Sequence, residues 1–267
     1  MTYIGCVTYR GYFRESSARE LADALRDQMM DVVVTPTTAY STLGWSNDPI
    51  LNTMIGYDEL DLAELVFHEL THALIYVEGD AAFSEALATT IGRIGAERYA
   101  LEYALLDDLT EWRDWQRRRE SIDSLLSELR TALMRIYGMN ITNDGKLRRK
   151  ADAIAEFRRE FAQRGLGDPE RWYASSGPNN AHLALHQTYT GHVDTLLTMF
   201  RQANSVQDFL AHMTHMASLP SSHRQKMLAS GATQLANGDV KDAVQDAEKY
   251  RETEKKGEKS YNDAQLH

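Results

Sequence analysis

The chain has 267 residues, 43% of them hydrophobic and 25% charged, which suits one large soluble domain with a sizeable core, alone or with an appendage. Its formal net charge of −10 sets it against the phosphate backbone and excludes nonspecific nucleic-acid binding. Cys6 is the single cysteine, so no internal disulfide framework supports the fold, and no window is long and apolar enough to span a bilayer.

The N-terminus shows no basic stretch followed by an apolar run, so no signal peptide is expected in this chain. Tyr3 to Tyr9 reads as a first strand, with Cys6 buried beside it. Ser17-Ala18-Arg19-Glu20 has the form of a capping box, with Leu21, Leu25 and Met29 following at helical spacing. The β-branched run Asp31-Val32-Val33-Val34-Thr35 predicts a second strand, and Ala39 to Leu43, closed by Gly44, a third. Beyond the turn at Asp48-Pro49 the pattern becomes helical. Leu62, Leu65, Val66, Leu70, Ala73, Leu74 and Val77 form an apolar face, and Gly79-Asp80 interrupts it.

A second helix of this region runs from about Phe83 to Leu105, and a third carries Ile122, Leu125, Leu126, Leu129, Leu133 and Ile136. Arg117-Arg118-Arg119 reads as a solvated helix face. The turn Asn143-Asp144-Gly145 precedes a helix marked by Leu147, Ala151, Ile154, Phe157 and Phe161. After Gly177-Pro178 a helix extends to about Phe200, and Val206 to Met216 forms one more. From Asp239 to Lys259 both charge signs are dense and apolar groups few, which predicts a mobile tail. The expected organisation is residues 1–57 as a small α/β N-terminal part, 58–235 as a helical part of the same domain, and 236–267 as the tail.

The segment His68-Glu69-Leu70-Thr71-His72 carries the chemistry. Residues four apart share a helix face, so the imidazoles of His68 and His72 reach one ion. Glu69 points off that face, where its carboxylate takes a proton from a metal-activated water instead of binding the metal. Zinc is the expected cofactor, one Zn2+ per chain, and it needs a third protein ligand and an open position. Glu78, Asp80, Glu85 and Glu97 are the candidates. Glu78 is poorly placed for reach, and Asp80 fits a helix cap. Glu85 is chosen: it lies early in the next helix, where an antiparallel return brings it back under the first, and the run Ala86, Leu87, Ala88 and Thr89 that follows lets two helices approach closely. His182 and His186, and likewise His212 and His215, read as core or surface pairs.

Several segments together resemble the bacterial putative aminopeptidase family. They are Tyr9-Arg10-Gly11-Tyr12-Phe13, Ala39 to Trp45 with Asp48-Pro49, Phe67 to His72, Tyr76-Val77 with Gly79-Asp80, Phe83-Ser84-Glu85-Ala86, and Pro178-Asn179-Asn180-Ala181 with Thr188-Tyr189. The resemblance covers about residues 4 to 220. Members of that family are similar to gluzincins, peptidases in which a helix-borne Glu completes the metal site. The resemblance implies a zincin-like α+β domain, predominantly helical, with a small N-terminal β-sheet. It also implies a peptide or protein substrate lying extended along Ser41, Thr42, Leu43 and Gly44, and Tyr189 as a donor to the transition state, with His186 one turn earlier as the alternative.

Family members usually carry a further N-terminal region, often behind a lipoprotein-type signal. The implied compartment is thus the bacterial periplasm or the membrane surface, with the cytoplasm as the alternative. Ser84 stands where the family commonly has Asn, and Thr89 where many gluzincins have Asp. The expected activity is zinc-dependent hydrolysis of peptide bonds, by an aminopeptidase or an endopeptidase. Its rival is a non-catalytic interaction module with a structural zinc, which would have no use for Glu69.

Overall fold

A computed structural model of the chain describes residues 10–35, 54, 56–168, 173 and 177–230. The described residues are 77% helical. The helices are α1 (Glu15–Arg26), α2 (Glu59–Leu74), α3 (Ala81–Glu102), α4 (Leu106–Gly138), α5 (Asn143–Gln163), α6 (Asn180–Thr190), α7 (Val193–Gln202), α8 (Val206–Ser218) and α9 (Ser221–Ser230). None of them is long and apolar enough to cross a membrane.

The expected small N-terminal β-sheet does not appear: no strand occurs among the described residues. Two of its three expected strands, Tyr3–Tyr9 and Ala39–Leu43, lie outside the described residues. Asp31–Thr35 lies inside them, and it makes side-chain bonds where a ladder was expected. The Val32 carbonyl accepts from Asn179 Nδ2 at 3.3 Å, and the Asp31 carboxylate accepts from Lys150 at 3.0 Å and from the Asn180 N–H at 3.1 Å. A β-branched run satisfies strand propensity, but propensity measures fit to a pleated neighbour, and here the neighbour is the start of α6.

Three helix boundaries also move. α1 begins at Glu15, so Ser17 sits inside its first turn and the N-cap is Arg14. Asn143-Asp144-Gly145 is the first turn of α5, because the Thr142 hydroxyl accepts from the Gly145 N–H at 3.2 Å. The helix expected to run on to Phe200 is broken at Gly191-His192, dividing α6 from α7, and α9 is an element the periodicity did not announce.

Three apolar clusters organise the described residues. One joins α2 and α3 to α4 through Leu60, Ala96, Ala100, Leu109 and Trp112. A second packs the C-terminal half of α4 on α5 and α6, with Leu129, Leu133, Phe157, Phe161 and Leu183 at its centre. The third gathers α7, α8 and α9 around the start of α3 through Phe83, Leu87, Leu196, Phe209, Met213 and Met216. The α2–α3 hairpin is thus gripped at both ends of α3.

The hairpin itself is unusually tight. A Cβ on Gly92 would stand 2.7 Å from the Glu64 carbonyl oxygen and 3.5 Å from His68 Cβ, and a Cβ on Gly95 would fall within the Phe67 ring. These two glycines let the backbone of α3 lie against α2. The cost is the lower helix propensity of glycine, about 1 kcal/mol each relative to alanine. The face of α2 turned toward α3 is not the predicted apolar one. Leu60, Glu64, Thr71 and His72 are buried, whereas Val66, Leu70 and Leu74 point outward, Leu74 at 73% exposure.

Gly92→Ala tests the closeness of this contact. On helix propensity alone the change should stabilise, but the added carbon meets a backbone oxygen that cannot rotate away. We expect a net loss of roughly 1–3 kcal/mol in chemical denaturation. A stabilised variant would mean that the helices are not in backbone contact at this level.

Candidate metal centre

α2 begins with acidic Glu59 and Asp61 in its first turn, favourable for the helix dipole, and ends where Ile75 turns extended. Its fourfold spacing places His68 and His72 on the side that faces α3. α3 returns antiparallel and starts at Asp80, as expected for a cap: Asp80 Oδ1 accepts from the Phe83 N–H at 3.2 Å. The connection between the helices turns at Gly79, in the left-handed region at φ +78°. Ser84 ties it down. Its Oγ accepts from the Val77 N–H and donates to the Asp80 carbonyl, both at 3.1 Å. Glu85 follows directly, on the face of α3 that meets the histidines.

The three expected ligands come together. His68 Nε2 lies 3.2 Å from His72 Nε2. One carboxylate oxygen of Glu85 lies 3.4 Å from the first and 3.5 Å from the second. Bonds of about 2.0–2.1 Å at tetrahedral angles put neighbouring ligand atoms roughly 3.3 Å apart, so this triangle has the edge length that a shared tetrahedral ion requires. Without a cation or a proton between them, two imidazole lone pairs and a carboxylate converging on one point repel. His68, His72 and Glu85 therefore form a group able to hold a metal ion.

Burial works to raise the Glu85 carboxyl, but hydrogen bonds from His68 and His72 and their electrostatic pull outweigh it and bring the pKa down to about 2. The group is an anion at neutral pH, as a ligand must be. His72 is the most enclosed of the three, and its other ring nitrogen, Nδ1, is buried with no hydrogen-bond partner among the described residues. Thr89, four residues after Glu85 on α3, brings no carboxylate there.

The remaining third-ligand candidates are elsewhere. Glu97 pairs with Arg113, Glu78 is exposed, and Asp80 is committed to its cap and to Arg224. Glu69 is half-buried beside the histidines in sequence. Tyr189 is half-buried on α6, a helix that packs against α3. Its alternative, His186, is occupied: Nε2 is 3.0 Å from Asp123 and 3.1 Å from the Thr190 hydroxyl. His182 closes the cap of α6, where Nδ1 accepts from the Asn179 N–H at 3.2 Å, so the two histidines serve separate structural bonds. Ser41, Thr42, Leu43 and Gly44, expected to bind substrate, lie outside the described residues.

Sequence reading missed the residues that brace this centre. Glu64, one turn before His68 on the same face, is buried and accepts from Gln116 Nε2 at 2.6 Å, with Arg119 of α4 at 3.4 Å. Nothing local announces a partner 52 residues away. Gly92 and Gly95 did carry a signal, since glycines inside a helical pattern mark close backbone approach.

A family model described as putative aminopeptidase matches residues 2–228. No curated protein and no solved structure matches the chain. The family match runs from before α1 into α9 and includes His68, His72 and Glu85, so the chain belongs to the putative aminopeptidase family.

Proposed function

We propose that this protein is a zinc-dependent peptidase of the gluzincin type, with His68, His72 and Glu85 as the metal ligands and Glu69 as the general base. The observation that carries the reading is the triangle of two Nε2 atoms and one carboxylate oxygen, with edges of 3.2, 3.4 and 3.5 Å. A mixed nitrogen and oxygen donor set with one anionic member suits zinc, and three protein ligands leave a position open, the mark of a catalytic site. Family membership supports the substrate class, a peptide bond.

Zinc held there would polarise the scissile carbonyl and make water acidic enough to lose a proton near neutral pH. Glu69, adjacent to His68 on α2, takes that proton as the amide is attacked and passes it to the departing amine. Tyr189 donates to the oxygen on which negative charge develops, a phenolic hydroxyl being a hydrogen-bond donor.

The wild-type chain should bind about one zinc ion, measured by metal analysis and competition with a chelator. Glu85→Ala should lose that affinity, while Glu97→Ala, which removes an exposed partner of Arg113, should keep it. Equal affinity in Glu85→Ala and wild type would remove Glu85 from the site.

Glu69→Gln is nearly isosteric but accepts no proton. It should retain zinc and fold while turnover on a peptide library falls on the order of a hundredfold or more. Undiminished cleavage would exclude Glu69 as the base.

Tyr189→Phe removes only a hydroxyl. We expect kcat to fall roughly tenfold to a thousandfold with zinc content and KM little changed. A variant that turns over normally would leave Tyr189 a packing residue.

A further inference from the structure

Arg224, on α9, is an ionised side chain enclosed on every side, at 3% exposure. Its Nε and Nη2 both reach Asp80 Oδ2 at 2.8 Å. Its Nη1 donates to the carbonyls of Leu219 at 2.8 Å, Met216 at 3.3 Å and Ala217 at 3.4 Å, where α8 ends. The guanidinium lies 5.2 Å from the centroid of the Phe83 ring. Burying a guanidinium is costly, and a hydrophobic side chain of similar volume would often hold α9 in place as well or better. What a hydrophobic residue cannot do is hold a carboxylate in one orientation.

That carboxylate belongs to Asp80, whose second oxygen caps Phe83 and whose carbonyl receives the Ser84 hydroxyl. Phe83 and Ser84 immediately precede Glu85. The orientation of Asp80 therefore sets the rotation of the first turn of α3, and that rotation sets where the Glu85 carboxylate points. The histidines need no such help, because both stand on one helix at a fixed spacing. The ligand from the second helix is the one whose aim is adjustable.

We infer that Arg224 is a positioning residue for the metal centre, acting through Asp80 to aim Glu85 at His68 and His72. The inference rests on the metal-binding reading above. It carries a reciprocal consequence: if the Arg224–Asp80 pair favours the metal-binding geometry, metal binding must favour the pair and tighten α9.

The experiment uses the full-length wild-type chain, stripped of metal and then compared with and without Zn2+ by amide hydrogen exchange. Slower exchange is expected in α2 and the start of α3, and also in α9, although α9 supplies no ligand. Protection confined to α2 and α3 overturns the role of Arg224. Protection nowhere, with no zinc retained, overturns the metal reading and this inference with it.

Variants give a second arm. R224K keeps the charge and loses the fork; zinc affinity by chelator competition should fall about tenfold to a hundredfold, the usual effect of disturbing a ligand's support. The Co2+ absorption spectrum should change with it. L133A serves as the control, since it opens the α4–α5 cluster and destabilises without touching the hairpin. Wild-type affinity and spectrum in folded R224K, or an equal loss of affinity in L133A, reduces Arg224 to a residue of general stability. Should R224K not fold, the wild-type exchange result decides.

Discussion

The metal centre depends on the absence of side chains between two helices. His68 and His72 need nothing but their own helix to face the same point. Glu85 must come from a different helix, and a carboxylate on a short stem reaches two imidazoles only if the backbones nearly touch. Packed helices ordinarily keep their axes about 8–10 Å apart, at a distance set by the residues in the contact. Gly92 against the Glu64 carbonyl and Gly95 against the Phe67 ring leave no room for a side chain on α3 at these positions. Moved outward by a side-chain layer, Glu85 would no longer form a triangle with edges near 3.4 Å.

Closeness alone leaves rotation and sliding free, and polar bonds remove both. α4 holds α2 from below through Gln116 and Arg119 on Glu64. The C-terminal helices hold the start of α3 from the other end through Arg224 on Asp80. Each bond takes a polar side chain out of solvent, which is tolerated only because each is paired. A purely apolar interior would be the more stable choice, but apolar contacts resist rotation weakly. The clusters supply most of the cohesion, and two paired carboxylates, the buried Glu64 and the half-buried Asp80, supply direction.

What could be read from the sequence follows the range of the interactions. The histidine spacing, the cap at Asp80 and the return of Glu85 on the next helix involve neighbours within a few turns, and the structure brings those residues together as read. The run Asp31–Thr35 was misread because its partners are Asn179, Asn180 and Lys150, more than a hundred residues away. Arg224 was invisible for the same reason, lying 144 residues from Asp80. Ser17 misled differently. A capping box is a pattern of residue types, and the Glu15–Arg19 pair allowed α1 to start a turn earlier.

The inverted face of α2 has the most instructive cause. Periodicity assigns the apolar side of a helix to the interior, and Val66, Leu70 and Leu74 recur at the right spacing for it. At about 100° per residue they lie on the side of α2 opposite His68 and His72. Both sides cannot face α3. The ligands must, since Glu85 is there, so the interior side of α2 is given to Glu64, His68, Thr71 and His72, and the stripe of Val66, Leu70 and Leu74 turns outward. Such a helix violates the local rule for amphipathic segments, and it does so beside the group able to hold a metal ion; violations of this kind are expected to concentrate at functional sites. The hydrophobic pattern of this helix thus marks a second apolar side, distinct from the inward one on which Leu60 packs in line with Glu64, Thr71 and His72.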